Sequence, residues 1–333
     1  MRLGLTYDLR DDYRALGFTE EAVAEFDSAE TIDALAGALV RRGFTVERIG
    51  HVRALAERLA RGERWDLVFN IAEGVAGRSR EAQVPALLEA YNVPYVFSDP
   101  LTAAATLDKS VAKHLVRDAG VPTAPFALLR DAHDIAACDL AYPLFVKPVA
   151  EGTGKGCDRT SKVLNRGALR RAAGAIHARF LQPAIAETYL PGREFTVGIT
   201  GNGRTAEIVA VMEIELLEVA AGAVYSLFEK EECENRVRYV LADDDEARLA
   251  GQTALAAYRA LECRDAARVD LRSDGNGVPH FLEVNVLPGL HPTHSDLPIL
   301  ASLAGVSFDE LLDRILTACL ARTGLPLVVS KTA

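Results

Sequence analysis

Long apolar runs are missing from this sequence: none approaches the ~18–20 residues that a bilayer-spanning helix requires. The opening stretch, MRLGLTYDLR, alternates like a strand and lacks the apolar core and cleavage site of a secretory signal. The five cysteines, at 138, 157, 233, 263 and 319, form no C-x-x-C pair. An odd number of them suits reduced thiols better than a disulfide framework. These absences point to the cytoplasm. Positive charge is also short: 37 Lys and Arg stand against 47 Asp and Glu, for a net charge of −10. That balance argues against a nucleic-acid or anionic-membrane surface, each of which needs a basic face. A phosphate ligand stays compatible, because a few placed lysines and a metal ion act locally. Internal repeats, low-complexity tracts and long charge runs are absent too. What remains is a chain of 333 residues, 49% of them hydrophobic, enough to bury a large core in two or three domains.

The first third alternates strand and helix patterns. Leu3–Tyr7, Val46–Ile49, Leu67–Ile71 and Pro94–Phe97 read as strands. Ile32, Leu35, Leu39 and Val40 fall at helical spacing, with Asp27 or Ser28 as N-cap and Gly43 just past the end. A further helix is expected around 82–91. Such βαβ alternation implies a mostly parallel sheet covered by helices. A helix at 110–119, ended by Gly120, opens a second section with strands near 126–129 and 143–149 and a helix over 166–178. The last section holds two expected hairpins, Glu194–Thr200 with Thr205–Glu213 and Ala267–Arg272 with Pro279–Asn285. An α/β start followed by α+β sections suggests three small domains around one cleft.

The second hairpin concentrates charge. In RVDLRSDGNGVPHFLEVN, Arg268, Asp270 and Arg272 share one strand face, and on the return strand Phe281, Glu283 and Asn285 share another. A two-residue turn at Asn276-Gly277 would place Asp270 opposite Glu283 and Arg268 opposite Asn285. Facing carboxylates repel; a divalent cation turns that repulsion into attraction, and Asn285 offers a third oxygen. Carboxylates with an amide, and no adequate Cys or His set, suit Mg²⁺ more than zinc. The alternative is a hairpin with an ordinary solvated face, and an Asp274-Gly275 turn would change the register. Midway along the chain, FVKPVAEGTGKG ends an apolar run on Lys147 and continues into a loop with three glycines. Successive N–H groups of such a loop can point at an anion while lysines neutralise it. The stretch matches neither a Walker A sequence nor a dinucleotide-binding G-x-G-x-x-G, and by itself it reads equally as a mobile loop. A carboxylate metal site together with a Lys/Gly loop fits a nucleotide-triphosphate enzyme.

In that combination the chain resembles the ATP-grasp ligases, and among them the D-alanine–D-alanine ligase branch. LDKSVAKHLVRDAGVPTAPF resembles the family's lysine-led helix, PLFVKPVAEGTGKG its phosphate loop, AETYLPGREFTVGI its hinge, ARVDLR its R-x-D strand and FLEVNVLPGL its E-x-N-x-x-P-G strand. The resemblance implies an α/β plus α+β, three-domain ATP-grasp fold with an N-terminal parallel-sheet domain. The divisions expected are 1–104, 105–187 and 188–333. It implies ATP and two Mg²⁺ (or Mn²⁺) as cofactors, small amino-acid-type substrates and a homodimer. Lys109 and Lys147 would neutralise phosphates, and the loop N–H groups of Glu151, Gly152, Thr153, Gly154 and Gly156 would cap them. Glu187 and the backbone at Thr188 and Leu190 would read adenine, and Glu194 would accept ribose hydroxyls. Lys230 would reach the terminal phosphates, and Asp270, Glu283 and Asn285 would hold the metals. The reaction implied joins a carboxylate to an amine through an acylphosphate, with Arg268 and the Gly289 N–H stabilising the oxyanion; structural pairing of Arg268 with Asp270 is the competing role.

The amino-acid side of the site departs from the family pattern. Thr153 stands at a serine position, Glu231 at a tyrosine position and Glu73 near a histidine position, and Glu25 in AEFDSAET is the candidate for the family's N-terminal glutamate. Ser295 falls about where the family grips the second substrate's carboxylate, with His291 and His294 just before it. Those histidines are candidates for substrate binding or general base, or are ordinary loop residues. Cys157 would be reactive if Lys155 lowered its pKa, and otherwise is a small filler. Strict D-alanine specificity is therefore open, with other amino acids or a specialised-metabolite precursor as substrates. A different class, a divalent-metal hydrolase using Glu283, His291 and His294, would leave Lys109, Lys147 and the glycine loop unused.

Overall fold

The computed structural model describes residues 1–216 and 237–326. Three sheets follow one another along the chain. The first is parallel, in the order β2-β1-β3, from β1 (Arg2–Thr6), β2 (Thr45–Gly50) and β3 (Leu67–Asn70). The second is antiparallel, in the order β4-β7-β5-β6, from β4 (Phe126–Leu129), β5 (Leu144–Pro148), β6 (Lys162–Val163) and β7 (Ala184–Thr188). The third is also antiparallel, in the order β10-β9-β8-β11-β12, from β8 (Glu194–Thr200), β9 (Glu207–Leu216), β10 (Val237–Leu241), β11 (Ala266–Ser273) and β12 (Pro279–Asn285).

The helices within the described residues are, in chain order, α1 (Arg10–Ala15), α2 (Glu20–Val23), α3 (Ala29–Arg41), α4 (Val52–Ala60), α5 (Gln83–Ala90), α6 (Pro100–Leu107), α7 (Lys109–Asp118), α8 (Ala132–Ala137), α9 (Arg166–Phe180), α10 (Asp245–Ala260), α11 (Asp296–Leu303) and α12 (Phe308–Thr323). Their ends follow capping chemistry. The Ser28 hydroxyl accepts from the Thr31 N–H at 3.2 Å at the start of α3, and Gly43 takes a φ of 85° beyond its end. None of these helices is long and apolar enough to cross a membrane.

One apolar core joins the two ends of the chain. Leu3, Leu5 and Phe69 of the first sheet and Leu35 and Leu39 of α3 pack with Leu300 of α11 and Leu312, Ile315 and Leu316 of α12. A second core lies between the third sheet and α10, and a third between the second sheet and α9. The cleft between the second and third sheets is thus walled by separately packed units.

Three expected elements differ in detail. Pro94–Phe97 forms one bridge beside β3, through Val68–Pro94 and Val96–Val68 hydrogen bonds of 2.8 and 2.9 Å. It goes no further, because Phe97 turns to a φ of 78° and gives its N–H to Asp265. A 3₁₀ turn over Gly203–Thr205 delays β9 until Glu207. The two-residue turn at Asn276-Gly277 does not form. Asp274 instead organises a longer loop, accepting from the Asn276 and Val278 N–H groups at 2.8 and 3.0 Å. That loop pairs Ser273 with Pro279 and Leu271 with Phe281, and a bulge before Asp270 then restores the expected pairs, Asp270 with Glu283 and Arg268 with Asn285.

Candidate active site

The bulge matters for the site. It leaves Leu282 as the extra residue, so Phe281 turns into the core with Val284 while Leu282 and Glu283 both face the cleft. Phe281 therefore does not share the charged face assigned to it from strict alternation. The cleft encloses about 890 Å³, part of it open to solvent. Its walls come from β5 and the glycine loop (Lys147, Glu151, Gly154), from the end of β7 (Glu187, Thr188, Leu190), and from Glu194, Asp270 and Glu283 of the third sheet; Lys109 also lines it. Most of the ATP-side residues expected from sequence thus meet in one place.

Charge in the cleft is densely paired. Lys109 Nζ lies 3.2 Å from Glu283 Oε2 and also donates to the Glu151 carbonyl. Glu187 is almost fully enclosed and faces two lysines, Lys113 at 3.2 Å and Lys147 at 3.5 Å. Burial pushes the Glu187 carboxyl up, but the two ammonium groups outweigh it and hold the carboxyl below its usual range. The lysines respond differently. Lys113 is completely enclosed, and burial takes it down to about 8 against the pull of Glu187. Lys147 suffers the same burial, but there the pull of Glu187 and Glu283 outweighs it, and it rises. Lys113 escaped the sequence analysis, although its spacing one turn after Lys109 on α7 carries the signal. Its ammonium donates to Thr123 Oγ1 at 2.8 Å and the Phe281 carbonyl at 3.0 Å, tying α7 to β12.

Asp270, Glu283 and Asn285 form an oxygen-donor group at the head of the hairpin. Asp270 accepts from Thr196 Oγ1 at 2.9 Å, and Asn285 Nδ2 stands 3.5 Å from Asp270 Oδ2. Two facing carboxylates and an amide oxygen, with no sulfur or imidazole, suit a hard divalent cation. Arg268 is gripped from both sides. Its Nε and Nη2 donate to Asp270 at 3.1 and 3.0 Å, and its Nη1 lies 2.9 Å from Asp296. Asp296, at the start of α11, was not foreseen; only the folded chain brings it beside Arg268.

The glycine loop packs against the N-terminal section. Gly152 donates to Glu25 Oε1 at 2.6 Å, Lys155 reaches Glu25 at 3.2 Å and Glu151 at 2.6 Å, and Arg80 bridges Glu25 and the Ala150 carbonyl. Glu25 therefore touches the glycine loop. Thr153 takes a φ of 53°. Gly156 lets the loop lie on Pro148 and Phe180, where a Cβ would come within 2.6 Å of Pro148. Cys157 lines the cleft, and burial pushes its thiol up to about 11 rather than down.

Glu73 lies apart from the ATP-side group. Burial pushes its carboxyl well up, and neighbouring Glu81 and Glu25 push it further. Asp27, nearby, is raised to about 7 by burial, against the attraction of Arg10. Between about pH 4 and pH 7 the folded chain holds a proton on Asp27 that the unfolded chain has released, so this contribution to stability falls as pH rises through that window. Asp27→Asn is expected to stabilise the chain by on the order of 1–3 kcal/mol at pH 8 and to be near neutral at pH 4. Urea unfolding at the two pH values checks this, and an equal effect at both would refute it.

Beyond β12, the Ser295 hydroxyl accepts from the His291 N–H at 3.0 Å, and a Cβ at Gly289 would stand 2.7 Å from that hydroxyl. The His291 and His294 rings lie 4.6 Å apart, with His291 also 3.6 Å from Glu30. Neither lines the cleft that holds Glu283. Among the described residues the one metal-sized cluster of His, Cys, Asp or Glu is Asp131, His133 and Asp134. Asp131 there caps α8, and Asp134 pairs with Arg130. The hydrolase alternative on Glu283, His291 and His294 is thus not supported. Lys230 and Glu231 lie outside the described residues.

The family model described as D-ala D-ala ligase C-terminus matches residues 115–317. The chain is 37% identical over 257 residues to the uncharacterized protein y4sG of Sinorhizobium fredii, covering 75% of this chain and 73% of that protein. It is 32% identical over 290 residues to the D-alanine–D-alanine ligase of Nitrosococcus oceani, covering 85% and 86%. The crystal structure of D-alanine–D-alanine ligase from Bacillus anthracis superimposes with a TM-score of 0.75 at 22% identity, covering 97% of this chain and 99% of that one.

Proposed function

The chain belongs to the D-alanine–D-alanine ligase family of ATP-dependent, amide-forming enzymes, and we propose that it joins two small amino acids in the cleft between its second and third sheets. The observation that carries this reading is the convergence there of Lys109, Lys147 and the glycine loop on the facing pair Asp270 and Glu283. Asp270, Glu283 and Asn285 would hold two Mg²⁺ ions, whose charge would offset that of the phosphates.

The protein's own residues do the rest. Lys109 and Lys147, with Lys230, offset phosphate charge, and the N–H groups of residues 151–156 cap the phosphate tail. Glu187 and the Thr188 and Leu190 backbone take the adenine edge, and Glu194 the ribose. The substrate carboxylate attacks the γ-phosphorus, the bond to ADP breaks, and an acylphosphate forms. An amine then adds to the acyl carbon and loses a proton, and the tetrahedral intermediate expels phosphate to leave the amide. Arg268 and the Gly289 N–H face the negative charge that builds on the carbonyl oxygen in this second step. Thr153 would link the loop to the first substrate, and His291, His294 and Ser295 would flank the acceptor. The divisions 1–104, 105–187 and 188–333, a cytoplasmic location and a homodimer complete the proposal.

D-Alanine is the first substrate to test. A second reading, ligation of another amino acid, is favoured by Glu73, whose enclosed carboxyl is held high beside Glu25 and Glu81 and would ionise against a cationic group of the substrate. Phosphate release from ATP and Mg²⁺ across single and paired D- and L-amino acids, with mass spectrometry of products, separates the two. D-Alanyl-D-alanine from D-alanine alone establishes the first. Product only with another acid and amine establishes the second, and no release with any pair counts against both.

A further inference from the structure

Arg272 has no part in the chemistry above, yet its side chain stands in the wall of the nucleotide cleft. Strand pairing sets it directly across from Glu194, β11 against β8. Its Nη1 donates to Glu194 Oε2 at 3.1 Å, with the two side chains only 24% and 17% exposed. The guanidinium carbon also lies 5.6 Å from the centre of the Tyr189 ring, and Lys162 stands 3.8 Å from the same ring. Arg272 is therefore braced in two directions, by a carboxylate and by an aromatic ring.

Two features go beyond a structural ion pair. The Arg272 Nε is buried and has no hydrogen-bond partner among the described residues. A donor left unmade inside a protein is costly unless something else meets it. The partner of the pair is also the carboxylate that faces the ribose in the proposed function. An anionic nucleotide would be repelled by a bare carboxylate at its ribose end. A guanidinium beside that carboxylate cancels its charge and holds it in one orientation, which hydroxyl recognition needs.

We infer that Arg272 is a positioning residue for nucleotide specificity, holding Glu194 for the ribose hydroxyls and keeping a spare N–H for an acceptor atom of the nucleoside. The inference rests on the proposed use of this cleft for ATP. It predicts that the enzyme distinguishes ribonucleotides from deoxyribonucleotides through the Arg272–Glu194 pair.

The test compares binding of the β,γ-imido analogue of ATP and its 2′-deoxy form, each with Mg²⁺, by calorimetry. Wild-type protein is expected to favour the ribose form about tenfold, the size of one well-made hydrogen bond. Arg272→Met should weaken the ribose form about tenfold and shrink the preference to about twofold. Arg272→Lys, which keeps the charge but not the planar fork, should give an intermediate preference. In turnover, the KM for ATP should rise in Arg272→Met while kcat at saturation stays within about twofold. Wild-type preference in both variants would overturn the inference, as would an equal loss for both analogues. If Arg272→Met does not fold, the lysine variant decides alone: a reduced preference supports the inference and an unchanged one overturns it. Wild-type protein that binds neither analogue would instead sink the ATP reading of the cleft.

Discussion

Asp270→Asn and Glu283→Gln are each expected to lower ATP-dependent turnover by roughly 10³ or more while the protein stays folded. The two carboxylates face each other across β11 and β12, a placement that costs energy unless a cation lies between or beside them. Each substitution keeps the side-chain volume and removes one negative charge. What is lost is affinity for the divalent ion and the several kcal/mol by which that ion neutralises phosphate charge in the transition state. The fold has other support here. Thr196 can still hydrogen-bond an amide at 270, Arg268 keeps Asp296, and Lys109 keeps the Glu151 carbonyl when Glu283 becomes neutral. Unchanged turnover in either variant would refute the metal-site assignment. Near-wild-type thermal melting with lost turnover would place the defect in the chemistry.

Arg268→Ala is expected to lower kcat by about 10²–10³, the usual cost of one oxyanion donor. It should also destabilise the protein, because Asp270 and Asp296 would be left as enclosed carboxylates without their shared partner. Breaking such a buried pair typically costs about 3–5 kcal/mol. The two effects separate in Arg268→Ala/Asp296→Asn, where one stranded charge is also removed. Stability should return in part, and kcat should not. A double variant that regains kcat along with stability would show that Arg268 serves the fold alone. The KM for ATP should move little in either variant, since the proposed role of Arg268 is at the reacting end rather than the nucleoside.

How the site became legible differs from residue to residue. Lys147 and the glycine loop announce themselves locally, because a strand-ending lysine followed by glycines is a contiguous pattern. The Asp270–Glu283 pairing was also readable, but for a reason only partly sound. The expected tight turn does not form, and the longer loop organised by Asp274 is compensated by a bulge at Leu282. Alternation along β12 therefore failed for Phe281, which the core claims, while the register at Glu283 survived. Turn type and bulge are chosen by packing of the whole sheet, which no short pattern encodes.

The sequence by itself determined the parallel start, the ends of α3, the strands of the two hairpins and the lysine-led glycine loop, since each follows from neighbours in the chain. Tertiary structure alone decided which charges pair. Lys113 shares Glu187 with Lys147 across two elements, Asp296 closes on Arg268 from α11, and Glu25 meets the glycine loop 127 residues away. Each of these is an enclosed charge whose desolvation must be offset by a partner, and which partner is in reach depends on how the separate cores dock. Periodicity and capping are local consequences of backbone geometry; the matching of buried charges is not, and that matching shapes this cleft.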